Sequence, residues 1–221
     1  MSKIHAVRII NLNYNHNAIR IDDELWTLNG SHTLFSLRNG GGKSVLVQML
    51  TAPFVHKQYL NTKERPFASY FTTNKPTFLL VEWQLDNHAG YVLTGLMVRR
   101  HQKTEDEEQE QDELDLVHFI SEYQTSSPCD IRNFPVISQE KNGRKLKSYK
   151  ACLDLFSAWK EDKTLQFFVY DQNIQGQYRA YFQKLEEYQI YYKEWETIIK
   201  KLTTKSLVCR NYLLIRRVNG N

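Results

Sequence analysis

Cysteine is scarce in this chain: Cys129, Cys152 and Cys209 are three residues in 221, odd in number and far apart. That spacing suggests neither a disulfide framework nor a CxxC metal site. Long apolar runs are missing too. No stretch approaches the ~20 residues that a membrane helix needs, and Met1-Ser2-Lys3 opens straight into a strand pattern rather than a signal peptide. The seven histidines, His5, His16, His32, His56, His88, His101 and His118, form no HxH or HxxxH pair and read as surface or loop residues. What is left is the composition of a cytoplasmic globular protein, with 41% hydrophobic residues to bury a core in one large or two small domains.

Acids are thin outside one place. Eight of the 25 fall between Glu105 and Asp115, which leaves 17 against 29 bases and makes the rest of the chain basic by 12 charges. The acidic run reads as a solvated loop, and the basic body suits a polyanion partner.

The stretch around which the chain is organised runs from Leu37 through Arg38-Asn39-Gly40-Gly41-Gly42-Lys43-Ser44 into Val45-Leu46-Val47-Gln48-Met49-Leu50. Three consecutive glycines let backbone N–H groups turn inward as an anion cradle, and the following helix aims the positive end of its dipole at the same point. Lys43 is placed to reach β and γ phosphates, and the Ser44 hydroxyl to take one position on Mg²⁺. One departure is visible: the P-loop pattern asks for glycine where Leu37 stands, which implies a wider entry to the loop. Pro53 marks the end of the helix.

Short strands are expected before this loop, from Ile4 to Asn11, Ala18 to Ile21, Leu25 to Leu28 and Thr33 to Ser36, with Asn11 to Asn17 as a polar turn. After it, Thr77–Trp83 and Tyr91–Val98 read as a hairpin through Asp86-Asn87-His88-Ala89-Gly90. Glu82, following four apolar residues, has the look of a Walker B acid, although the hairpin turn so soon afterwards favours an antiparallel sheet. Val117–Tyr123 and Phe134–Ile137 read as strands and Asn142-Gly143 as a turn. Ser148 caps a helix striped by Tyr149, Cys152, Leu153, Phe156 and Trp159, and Leu165–Tyr170 is a last buried strand. Beyond Asp171-Gln172-Asn173-Ile174-Gln175-Gly176, the residues Tyr178, Tyr181, Leu185, Tyr188, Tyr192, Trp195, Ile199 and Leu202 alternate at spacings of three and four. That is a heptad seam, expected on one long helix over 176–202 as the root of a coiled coil or as an amphipathic helix packed on its own domain.

The strand pattern with Ile9-Ile10-Asn11-Leu12, the Asn39-Gly40-Gly41-Gly42-Lys43-Ser44 loop, the antiparallel strands, the strand entering Gln175-Gly176 and the helix after it are similar to the N-terminal half of an ATPase head. The chain resembles the structural-maintenance-of-chromosomes (SMC) superfamily over about Met1 to Leu202, and within it the bacterial condensin-like and plasmid-defence chromosome-segregation ATPases. The resemblance implies an α/β P-loop NTPase half-head over 1–175, with an antiparallel β subdomain, a coiled-coil-like helix over 176–202 and an atypical tail over 203–221. It implies ATP held by Arg38, Asn39, Gly40, Gly41, Gly42, Lys43, Ser44 and Val45, with Mg²⁺ on Ser44 and Gln175. The catalytic set it implies is Lys43, Gln175 (or Gln172) as the Q-loop residue, and Arg65 as the arginine supplied in cis.

The chain stops before any signature motif, Walker B pair or switch histidine, so hydrolysis is expected only with a C-terminal head lobe, in a homodimer of heads acting on DNA without sequence preference and with no membrane. Two other readings stand beside this one: an autonomous P-loop kinase whose site Glu82 or Asp171 completes, and a non-enzymatic interaction module. Residues 203–221 abandon the seam and are acid-free. They are expected to be the product of a truncation, with Tyr212 to Val218 pairing as an added strand on an open sheet edge.

Overall fold

A computed structural model of the chain describes residues 2–14, 19–36, 42–61, 66–100, 114–140, 143–204 and 212–215. In chain order its elements are β1 (Lys3–Tyr14), β2 (Ile19–Thr27), β3 (Thr33–Ser36), α1 (Lys43–Thr51), β4 (Thr77–Gln84), β5 (Tyr91–Arg100), β6 (Leu114–Tyr123), β7 (Ile137–Glu140) and β8 (Gly143–Leu146). These are followed by α2 (Tyr149–Glu161), β9 (Gln166–Asp171), α3 (Gln175–Glu187), α4 (Tyr192–Thr204) and β10 (Tyr212–Ile215). Six strands form one sheet in the order β2-β1-β4-β5-β6-β9, and every neighbouring pair is antiparallel. The architecture is therefore mixed α/β around an antiparallel sheet.

Both faces of that sheet are covered, which is why its central strands read as almost unbroken apolar runs. Side chains alternate across a strand, so Leu79, Val81 and Trp83 of β4 join one core while Phe78 and Leu80 join the other. The first core takes Met49 and Leu50 of α1, Tyr181 and Leu185 of α3 and Ile199 of α4. The second takes Cys152 and Phe156 of α2 together with Cys129, Ile131, Phe134 and Val136. Gly95 of β5, on the α2 side with Leu93 and Met97, stands where nothing larger fits: a Cβ there would lie 2.1 Å from the Phe119 ring. Phe119 uses that space to stack on Phe134 at 5.3 Å and to meet Phe156 at 4.8 Å.

Several local expectations change. The polar turn expected from Asn11 is instead strand up to Tyr14. Asn11 sits at φ 57 within it, its amide donating to Pro76 O at 2.9 Å and its carbonyl accepting from Thr77 Oγ1 at 2.8 Å. The pairs Leu12↔Ile21 and Arg8↔Leu25 then make one continuous β2 out of what the sequence divides into two strands. Residues 134–136 are not strand; β7 begins at Ile137, where pairing with Leu146 becomes available.

The largest correction concerns 176–202. Two helices occupy it, because α3 ends in a complete Schellman motif: Ile190 N–H donates to Leu185 O at 2.9 Å, Gln189 N–H to Glu186 O at 2.9 Å, and Gln189 adopts φ 56. Ile190 and Leu185, the hydrophobic pair of that motif, are both buried. The seam residues from Tyr178 to Ile199 accordingly pack on the chain's own first core instead of presenting a stripe for a second helix. Helix α4 ends at Thr204, and β10 pairs antiparallel with β3 through Tyr212↔Ser36 to Ile215↔Thr33. The tail strand is thus found over Tyr212–Ile215, while the expected continuation to Val218 lies outside the described residues.

Candidate phosphate-binding site

Helix α1 begins where the phosphate-binding reading needs it. Gly42 is its N-cap, at φ 81 and ψ 22, a left-handed conformation that costs glycine nothing and other residues strain. The Gly42 carbonyl accepts the Leu46 N–H at 2.8 Å. Among the described residues no side chain caps the helix and no acid occupies its first turn, so its opening N–H groups keep their positive potential. Lys43 and Ser44 are the first two helical residues, Lys43 partly buried and Ser44 exposed. The Val45 side chain is buried in the core, so Val45 offers a ligand only its backbone N–H. Arg38, Asn39, Gly40, Gly41 and Arg65 lie outside the described residues.

What fixes α1 is a buried amide. Gln48 donates through Nε2 to Leu60 O at 3.0 Å and accepts at Oε1 from the Tyr70 hydroxyl at 2.7 Å. Asn61 Oδ1 accepts the Phe67 N–H at 2.8 Å, drawing together the two ends of the segment that carries Arg65. Just beyond the helix, successive residues grip α3 and α4. Pro53 O accepts the Tyr181 hydroxyl, Phe54 meets Trp195 edge-on at 5.6 Å, and Lys57 N–H donates to the Tyr178 hydroxyl at 2.9 Å. Between them His56 stacks on Phe182 at 3.7 Å and pairs through Nδ1 with Glu196 at 2.6 Å.

Gln175 is the exposed first residue of α3. It lines a cleft of about 440 Å³ with His56, Tyr178, Arg179, Phe182 and Tyr192, and neither Lys43 nor Ser44 lines that cleft. Burial of the Tyr178 phenol beside it pushes its pKa up. Gln172, the alternative Q-loop residue, lies in the turn after β9, and its Oε1 is buried with no hydrogen-bond partner among the described residues. Asp171, at the end of β9, accepts the Asn173 N–H of that turn at Oδ1, 2.8 Å away.

Glu82 is elsewhere altogether. Alternation along β4 puts it on the same face as Phe78 and Leu80, the α2 side, while α1 packs on the other face. Its carboxylate is spent on His5 Nδ1 at 2.6 Å and on the Tyr123 hydroxyl. A Walker B role for Glu82 is thereby removed. One histidine departs plainly from expectation: His118 is buried on β6, whereas His56 lies in a loop and, like the partly exposed His5 of β1, pairs with a carboxylate. Neither ring nitrogen of His118 has a hydrogen-bond partner among the described residues, and burial against Tyr178 and Tyr181 lowers its pKa from 6.5 to about 3. A signal for it existed. His118 is flanked by Leu116-Val117 and Phe119-Ile120, and a strand apolar at consecutive positions is covered on both faces.

Among the described residues no three His, Cys, Asp or Glu side chains gather into a metal-binding group. Among the described residues no helix is long and apolar enough to cross a membrane. No protein-family model matches the chain, and no curated protein matches it at a significant level.

Proposed function

We propose that the chain is the ATP-binding N-terminal lobe of an SMC-like ATPase acting on DNA, one that needs a C-terminal head lobe to hydrolyse. The observation that carries this reading is Gly42 in the left-handed region, delivering Lys43 and Ser44 to the uncapped start of α1. A phosphate group suits that place: a glycine whose conformation resists a side chain, a helix start with no side-chain cap, no acid in the first turn and an exposed hydroxyl. The Lys43 ammonium would neutralise the terminal phosphates, the N–H groups of the loop and of α1 would hold their oxygens, and the Ser44 hydroxyl would take one position on Mg²⁺. Bound ATP with Mg²⁺ supplies the phosphoryl group and the metal's charge.

Phosphoryl transfer further needs a positioned water and charge stabilisation of the transition state. Glu82 cannot position water there from the far face of the sheet, which weighs against a self-sufficient kinase built on Glu82. The reading therefore assigns this chain to binding, and leaves cleavage to a second lobe in a homodimer of heads with Gln175 or Gln172 and Arg65 contributing. The remaining alternative, an interaction module that binds no nucleotide, is separated by calorimetry with ATP and Mg²⁺. The parent chain should give a saturable heat, and Lys43→Ala should abolish it while the circular dichroism spectrum stays unchanged. A Lys43→Ala variant that binds ATP as tightly as the parent would remove the phosphate-loop assignment.

A further inference from the structure

The six-stranded sheet has two outer strands, β2 and β9, and they are built differently. On β2, Arg20, Asp22 and Glu24 are exposed, and charged side chains on an outer strand discourage a further strand from pairing there. On β9 that protection is missing. Leu165-Gln166-Phe167-Phe168-Val169-Tyr170 contains no charge, no proline and no glycine, and its aromatic and β-branched residues favour an extended chain. Phe167 is buried, but Phe168, Val169 and Tyr170 stay partly exposed, so α2 and α3 leave the strand accessible.

The hydrogen bonds at the ends of β9 identify which backbone groups face outward. Asp171 N–H donates to Gln177 Oε1 at 2.8 Å and Asp171 O accepts the Ile174 N–H at 3.2 Å, both away from β6. Leu165 N–H likewise turns to Asp162 O at 3.1 Å. Inward and outward residues alternate along an antiparallel strand, so between these two the N–H and C=O of Phe167 and Val169 lie on the open edge, while those of Phe168 serve the pairing with β6. No described residue takes the Phe167 or Val169 groups.

We infer that β9 is the pairing edge of a twofold dimer of this chain, in which two six-stranded sheets join antiparallel through Phe167 and Val169. Two outward residues separated by one inward residue are self-complementary. With the axis through Phe168, Phe167 of each copy lies opposite Val169 of the other on the same face of the sheet, and each such pair exchanges both its N–H···O bonds. Phe168 meets its own counterpart in the non-hydrogen-bonded position, where side chains come closest. An uncharged strand also sets no like charges opposite one another. Lys184, whose ammonium lies 5.6 Å from the centre of the Phe168 ring, is paired with Glu187 at 2.9 Å and lies 3.8 Å from Glu122. A strand from another protein would meet the same backbone groups, but β9 carries nothing that selects one, whereas its own copy matches it group for group. Six residues of strand bury less than the roughly 1,600 Å² of a standard interface, which sets the dissociation constant at about 10 µM to 1 mM. The association needs no nucleotide and rests on no part of the phosphate-loop reading.

The test is sedimentation equilibrium of the full chain without nucleotide, which should show a monomer–dimer equilibrium. Val169→Pro removes an outward N–H that the β6 pairing does not use, a place where an outer strand tolerates proline. It should weaken the dimer about tenfold or more, because each copy loses a hydrogen bond, whereas Val169→Ala keeps the N–H and should stay within about threefold of the parent. A second measurement does not depend on proline. In a Cys209→Ser background, where Cys129 and Cys152 are buried, Phe168→Cys should form a disulfide-linked dimer on air oxidation with copper–phenanthroline. Tyr170→Cys should not, since Gln166 of the second copy lies opposite it. Hydrogen exchange at the Val169 amide should slow as the protein concentration rises. A chain that stays monomeric up to about 1 mM overturns the proposal. So does a parent-like dimer from Val169→Pro, cross-linking at position 170 as readily as at 168, or a Val169 amide that exchanges slowly at every concentration, which would mean that the edge is covered within one chain.

Discussion

His118 is the residue at which burial and chemistry conflict most openly. An imidazole with two polar nitrogens occupies a site 1% exposed, between the rings of Tyr178 and Tyr181. Its charged form cannot be solvated there, so its pKa falls to about 3. The sign of the consequence follows from linkage. The unfolded chain takes up a proton near pH 6.5 and the folded chain does not, so stability is full above pH 6.5 and is lost progressively as the pH falls towards 3. Between pH 7 and pH 5 this one residue should cost about 2 kcal/mol, at roughly 1.4 kcal/mol per unit. Urea unfolding of the parent and of His118→Phe at both pH values measures it. The variant should lack that increment, whatever its absolute stability, and equal pH dependence in the two chains would mean that His118 is not buried neutral.

At the scale of elements, the break between α3 and α4 decides whether the aromatic seam is an interface or a core. Gln189 occupies the left-handed position of the Schellman motif, where a non-glycine residue costs roughly 1–2 kcal/mol. Glycine there removes that strain and gives some of it back as chain entropy in the unfolded state. Gln189→Gly should therefore stabilise the protein by about 0.5–1 kcal/mol, read as a rise in the denaturation midpoint at unchanged slope. If α3 and α4 were instead one continuous helix, the same change would put glycine in a helix interior and destabilise it by about 1 kcal/mol. The sign of the effect separates the two structures.

At the scale of the whole molecule, one sheet serves two cores. Each central strand contributes alternate side chains to both, as β4 does with Leu79 and Val81 on one side and Phe78 and Leu80 on the other. Neither core can lose its wall without exposing the other, so the two should unfold together. Trp83 belongs to the α1 side and Trp159 to the α2 side. Fluorescence of variants keeping only one of them should report a single shared urea midpoint. Two separated midpoints would show that the faces are independent units.

The start of α1, the β4–β5 hairpin, the Ser148-capped helix and the existence of β9 were legible in the sequence, because each rests on local chemistry; that β9 is an edge strand with only Phe167 buried was not. Glycines before Lys43 and Ser44, a hydroxyl at an N-cap and β-rich apolar runs act over a few residues. The end of α3 was not legible, because its left-handed position is held by Gln189 rather than glycine, and what stabilises it is the burial of Ile190 against Leu185. Heptad spacing specifies only which residues share a helix face; whether a second helix or the chain's own sheet covers that face is a matter of long-range packing. The same holds for Glu82, whose environment depends on which side of β4 it faces and on His5 and Tyr123 arriving from β1 and β6. The sequence by itself determined several local elements and where α1 begins. Only the tertiary structure decided which face each side chain serves, because burial is settled by partners far away along the chain.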